Sequence, residues 1–323
     1  MSTVELPALT SPEFTSPVAV PLVAVPLTTL GGYAHQVVQQ YCQHLLKLEK
    51  KVLADRDPEN LHEMRVNARR LWAALQVFGR ALWLPKTASQ ERLQTLIRAL
   101  GKLRDLDVQI AELKQTYVPR LQDWEQTSLK KVIKALRKAR PQAFAKAKTA
   151  LGSSQYQNWQ QTWQTWLAEP MYTSIAQQPL PDCLPYLLSP LLSELLLHPG
   201  WMIAINNLSD ANSPILHDLR KACKHVRYQT EFFLDFYDEA FGTWVKEVKS
   251  LQDSLGKLHD SQVLLDLLGK TLPKGTTLPG LQAIIQAEQM VAMADWERLR
   301  HQYLNPKFRS HLFSLLVTAT QPV

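Results

Sequence analysis

Leu61-His62-Glu63-Met64-Arg65 returns later in the chain as Leu216-His217-Asp218-Leu219-Arg220. A second stretch, Leu100-Gly101-Lys102-Leu103-Arg104-Asp105, returns as Leu255-Gly256-Lys257-Leu258-His259-Asp260. His62 to His217 and Gly101 to Gly256 are both steps of 155 residues. Two different motifs that keep one offset across variable sequence read as an internal duplication, and a repeat constrains the fold before any single helix does.

Outward from these motifs, good helix formers with apolar residues at 3.6-residue spacing dominate from about Leu30, without sustained β-branched alternation. The fold class is therefore all-α, with two pseudo-symmetric halves. Asp57-Pro58 announces a helix over about 59–80 and Ser213-Pro214 one over about 214–238. Pro85, Pro119 and Pro141 read as breaks, and 273–280 as a loop. The Pro- and Trp-rich middle, about 152–214, reads as short helices and a connector. The domain layout is a Pro-rich flexible leader over 1–29 and a helical domain over 30–318, with halves at about 30–170 and 185–318.

The 323 residues are 46% hydrophobic and 20% charged, which excludes disordered, collagenous and coiled-coil classes. Thirty-six Lys and Arg against 29 Asp and Glu give +7, a surplus that favours polyanionic partners. Cys42, Cys183 and Cys223 are odd in number and lack ligand-like spacing, which fits neither a disulfide framework nor a zinc site and points to a reducing, cytoplasmic location. The charge-free run 14–34 contains Pro17, Pro21 and Pro26, and the apolar run 187–205 contains Pro190, Glu194 and Gly200, so neither is expected to span a membrane.

With about 100° of turn per residue, Leu61, Met64, Ala68, Leu71, Leu75 and Phe78 share an arc that faces a core. His62, Arg65 and Arg69 share the neighbouring arc, with Arg70 at its far side. In the second copy Leu216, Leu219, Cys223, Val226 and Phe233 form the core arc. His217, Arg220, Lys221, Lys224, Arg227 and Tyr228 form the polar one. Charged helix faces are ordinarily solvated and laced by i,i+4 ion pairs. No acidic residue lies between Met64 and Phe78 or between Arg220 and Thr230, so these cations lack partners there. A multivalent anion accepting charge-assisted hydrogen bonds from both stripes offsets their repulsion.

Gly101 and Gly256 interrupt helical patterns at a cost near ~1 kcal/mol each, which marks close approach of a neighbouring helix. Asp105 and Asp260 are placed to buttress cations there. His62 and His217 stand one turn before an arginine, and phosphate beside them raises their pKa. Lys130, Lys131, Lys134, Arg137, Lys138, Arg140, Lys146 and Lys148 form a further basic run that either extends an anion track or is a solvated face. Trp159, Trp163 and Trp166, at helical spacing, read as core rather than base-stacking platforms.

The pattern Leu61-His62-x-x-Arg65-x-x-x-Arg69-Arg70-Leu71, its second copy from His217 to Tyr228, and the element Leu100 to Val108 together resemble the CHAD domain, the conserved histidine α-helical domain. The likeness covers about Leu30 to Leu316. It implies two four-helix halves around a basic cavity that binds inorganic polyphosphate and can bring its carrier to polyphosphate granules, with no catalysis and no cofactor. The binding residues it implies are His62, Arg65, Arg69, Arg70 and Arg104, with His217, Arg220, Lys221, Lys224, Arg227 and Tyr228. Trp72, His225, His259 and Gln262 depart from the pattern, which implies a weaker first-copy site. Two rivals are a metal-dependent phosphohydrolase built on His62, His217, His259 and Asp260, and a nucleic-acid binder, which the lack of groove-reading or stacking elements disfavours. A metal role is further disfavoured because the first-copy counterpart of His259 is Arg104, which cannot ligate one.

Overall fold

The computed structural model describes residues 26–204 and 212–319. Within them the chain is helical throughout, and the only β-type pairings are the isolated bridges Thr29 with Pro179 and Leu82 with Tyr172. Ten α-helices run in chain order: α1 Leu30–Ala54, α2 Pro58–Phe78, α3 Gln90–Glu112, α4 Asp123–Leu151, α5 Ser154–Ala168, α6 Leu180–Leu196, α7 Ser213–Thr230, α8 Glu239–Thr271, α9 Pro279–Leu304 and α10 Pro306–Leu316. Five helices stand on each side of the 169–179 connector, not the four per half that the resemblance implies.

The sequence explains the starts of the motif helices. Asp57 caps α2, its carboxylate accepting from the Glu59 N–H at 2.9 Å ahead of a proline in the first turn. The core arc read from α2 is buried at all six positions, and that of α7 at Leu216, Leu219, Cys223 and Val226. Glu125 at the start of α4, 2% exposed, accepts from the Gly280 and Leu281 N–H groups at the start of α9. A carboxylate there satisfies orphan donors and complements the positive end of the helix dipole. Any Cβ on residue 280 would collide with it, which accounts for the glycine.

Three readings of proline need correction. Helix α4 continues through Pro141, and α6 continues through Pro185 and Pro190. Pro141 and Pro190 lie on exposed faces, where the carbonyl that a proline leaves without an N–H partner is open to solvent. Leu184, Leu188, Leu192 and Leu195 are meanwhile buried along α6. At about 2 kcal/mol per buried leucine, that stripe outweighs about 3 kcal/mol per interior proline. Among the described residues the middle of the chain is thus two complete helices, α5 and α6, with one-turn helices at Ser174–Gln177 and Pro199–Met202. By length and composition Leu180–Met202 also meets the requirement for a membrane span, with mean hydropathy 1.2, although the prolines had argued otherwise; here its leucines enter the protein core.

Residues 1–25, most of the expected leader, lie outside the described residues. The last residues of that leader are tied down: the Leu30 N–H donates to the Gln178 carbonyl and the Leu180 N–H to the Thr28 carbonyl, both at 2.9 Å. Trp159, Trp163 and Trp166 are buried in a ladder of aromatic contacts, and the Trp166 indole donates to the Trp83 carbonyl. Cys42, Cys183 and Cys223 are buried and unpaired. What positions the site is a chain of neighbours: α1, α2, α3 and α4 pack in succession, as do α6, α7, α8 and α9, and α2 meets α7.

Candidate functional site

Where α2 meets α7, the two cationic stripes come together at the floor of a cleft of about 470 Å³ walled by α3 and α8. Arg69 from α2, Lys102 from α3, Arg220 and Lys224 from α7 and His259 from α8 line it, alongside Asp105 from α3 and Asp260 from α8. Arg69, Arg220 and Lys224 have no ion-pair partner among the described residues. Lys224 is held down to about 7, first by burial and then by Arg69, Arg220, Arg227 and Arg65. Half of its neighbours thus come from the other stripe, so the two stripes act on one another.

Each motif arginine sits against the glycine of the next motif. Arg65 Nη1 lies 3.2 Å from where a Cβ on Gly101 would stand, and Arg220 Nε lies 3.2 Å from the equivalent point on Gly256. The glycines are where a guanidinium passes over the neighbouring helix. Arg65 is only 7% exposed and donates from Nη1 to the Ile97 carbonyl at 2.8 Å. Its pKa is lowered to about 10 by burial and by Arg69, with Asp105 opposing. Asp105 therefore supports Arg65 electrostatically. Asp260, its counterpart in the second copy, acts on His259, where it opposes the lowering of the ring's pKa.

Three of the cations read as unpartnered are in fact paired. Lys221 is exposed and bonded to Asp218 at 2.8 Å, one turn earlier. Arg70 pairs with Glu231, and Arg227 lies 3.5 Å from the same carboxylate. Both guanidinium groups lie over the Tyr228 ring, their carbons 4.8 and 4.7 Å from its centroid. This cluster ties α2 to the end of α7 and lies outside the cleft lining. Glu231 is the first residue beyond the acid-free stretch from Arg220 to Thr230.

His217 and His259 are in ring contact, centroids 4.3 Å apart, and His217 Nδ1 is buried without a hydrogen-bond partner. Burial first lowers the pKa of both; His259, Lys221 and Arg220 add to it at His217, and at His259 Asp260 opposes it while Arg220 and Lys221 add to it. His62 is lowered by burial and by Arg104, while Glu59, 3.9 Å away, opposes. Arg104 thus lies close to the His62 and Arg65 group without lining the cleft. Trp72, at a position expected to be cationic, instead packs on His225 with centroids 5.0 Å apart.

The basic run on α4 divides. Arg140 is a strut, bonded to Asp55 at 2.7 Å and to Asp107 at 2.6 Å. Lys130, Lys131, Lys134, Arg137, Lys138, Lys146 and Lys148 are exposed on the outer side of α4 and do not line the cleft. Among the described residues, no group of three or more His, Cys, Asp or Glu side chains is arranged to hold a metal ion. Sequence reasoning missed Lys102, Val108, Glu112, Tyr117 and Val263 in the lining. Lys102 was within the quoted motif, and Val108 and Val263 stand at the same 155-residue offset.

A family model described as the CHAD domain matches residues 36–269. Among solved structures, the CHAD domain from the plant Ricinus communis is similar with a TM-score of 0.60 and 23% identity, over 94% of this chain and 96% of that one. PptA from Streptomyces chartreusis is similar with a TM-score of 0.60 and 16% identity, over 84% of this chain and 98% of that one. At these identities the structural likeness bears on the fold alone. No curated protein matches the chain.

Proposed function

The chain belongs to the CHAD domain family, and on that premise we propose that it binds inorganic polyphosphate in the cleft between α2, α3, α7 and α8, without cleaving it. The observation that carries this reading is the convergence of Arg69, Arg220 and Lys224 from two helices with no carboxylate partner among the described residues. Crowding like charges in a partly buried floor costs free energy that a multivalent anion returns on binding. We also read the two halves as copies of one unit, each laying a motif arginine over a motif glycine, which supports a two-sided grip on one chain. Binding to a polyphosphate granule in the cytoplasm follows as the cellular role.

Calorimetry with linear polyphosphate at low and at physiological salt tests this. Affinity is expected to fall steeply with salt, by analogy with counterion release from nucleic acids. Replacing Arg69, Arg220 and Lys224 together by alanine is expected to weaken binding at least ten-fold, about 1.4 kcal/mol. Single-stranded DNA is expected to be displaced by polyphosphate, and no phosphate is expected to be released with added divalent ions. Failure to bind at low salt overturns the proposal, and phosphate release replaces it with the hydrolase reading.

A further inference from the structure

A second cavity, of about 340 Å³, opens between α3, α4 and α5 and shares no lining residue with the cleft. Each helix gives it one face: Arg92, Leu96 and Ala99 from α3, Lys146 and Ala150 from α4, Tyr156 and Trp159 from α5. No Asp or Glu is in its lining, and neither Arg92 nor Lys146 has an ion-pair partner among the described residues. Lys146 belongs to the basic run of α4 but turns to this cavity, a role the polyphosphate reading leaves open. Ser153, also in the lining, caps α5 by accepting from the Tyr156 N–H at 3.2 Å, so the positive end of that helix stands at the cavity. Trp159 is 3% exposed, and its indole Nε1 is buried with no hydrogen-bond partner. The Tyr156 and Trp159 rings stack, centroids 5.7 Å apart and planes 17° apart, and form an aromatic wall.

We propose that this cavity binds a small organic anion with a flat apolar body, an aromatic carboxylate. Three kinds of occupant can be weighed against the lining. An inorganic phosphate chain answers Arg92 and Lys146 but gains nothing from the aromatic wall. A neutral ring covers the wall but leaves two cations and a buried indole donor without an acceptor. An aromatic carboxylate meets both: its ring packs on Tyr156 and Trp159, and its oxygens accept charge-assisted hydrogen bonds from the two cations. Ala99 and Ala150, small residues on the other two helices, leave the space for the ring. A volume of about 340 Å³ stands at the low end of the range of small-molecule sites, which matches a ligand of one or two rings. The assignment is independent of the polyphosphate site.

Calorimetric titration of the full chain with naphthoate, with its uncharged analogue naphthamide and with inorganic tripolyphosphate, at matched ionic strength, tests the proposal. Naphthoate is expected to bind at least five-fold more tightly than naphthamide and to bind equally well when tripolyphosphate is already present. Arg92 and Lys146 are exposed, and replacing both by glutamine is expected to remove the preference for the acid while leaving tripolyphosphate binding unchanged. Ala99→Leu, which fills the cavity, is expected to abolish binding of acid and amide alike, with circular dichroism and retained tripolyphosphate binding as the checks on folding. Equal affinity for acid and amide would reduce the cavity to an apolar crevice and overturn the proposal. So would no binding of naphthoate, or its displacement by tripolyphosphate, which would assign Arg92 and Lys146 to the phosphate track instead.

Discussion

Lys224 shows how a single side chain couples the site to pH. Its ammonium loses basicity first to burial and then to four arginines, which leaves it at about 7 in the free protein. A bound anion favours its charged form, so binding takes up protons and affinity rises as pH falls. His217 and His259, also lowered, act in the same direction. Polyphosphate affinity is therefore predicted to increase from pH 8 to pH 6 by more than buffer-matched controls at high salt, measured by calorimetry in buffers of different ionisation enthalpy. Stability runs oppositely. Between about 7 and the ordinary lysine pKa near ~10.4 the unfolded state holds a proton that the native state lacks, so stability rises with pH across that window. Lys224→Met is predicted to flatten the rise of Tm over pH 7–10, and an unchanged slope would place the titration elsewhere. At this scale the sequence revealed which side chains are cationic but not which are free: Asp218 and Glu231 stand just outside the acid-free stretch from Arg220 to Thr230. Only the fold shows Glu231 reaching Arg70 on α2.

At the level of helices, the cores of α2 and α7 were legible because burial follows a 3.6-residue stripe whatever packs against it. The continuations through Pro141, Pro185 and Pro190 were not, because they depend on which face meets water. Gly256 joins helix to site. A methyl group there gains about 1 kcal/mol of helix propensity but presses on the Arg220 guanidinium. Gly256→Ala is predicted to leave Tm near that of the parent while lowering polyphosphate affinity several-fold; unchanged affinity would separate the glycine from binding. Arg140 joins α1, α3 and α4 through Asp55 and Asp107. Arg140→Ala strands the carboxylate of Asp107, whose side chain is 7% exposed, and is predicted to cost about 3 kcal/mol in denaturant melts. Arg140→Lys is predicted to recover only part of it, since an ammonium cannot reproduce the bidentate contacts. The outer cations of α4 face solvent and are screened by salt. Converting Lys130, Lys134 and Arg137 to glutamine is predicted to leave tripolyphosphate affinity within two-fold of the parent, and a larger loss would make α4 part of the site.

Across the whole molecule, a repeat offset of 155 residues pointed to the elements that meet, because α2, α3, α7 and α8 carry the two motifs. The meeting of Glu112 with Asp260 was not visible in sequence. Glu112 lies seven residues beyond Asp105, and its company with Asp260 and Glu288 is a product of how α3, α8 and α9 converge. The most direct test of the central claim, that the free cations of α2 and α7 form one anion site, is a crystal structure with tripolyphosphate at low salt. The account predicts phosphate oxygens within hydrogen-bond distance of Arg69, Arg220 and Lys224 together. Phosphates seated only on the outer face of α4, or on one motif helix without the other, would contradict it.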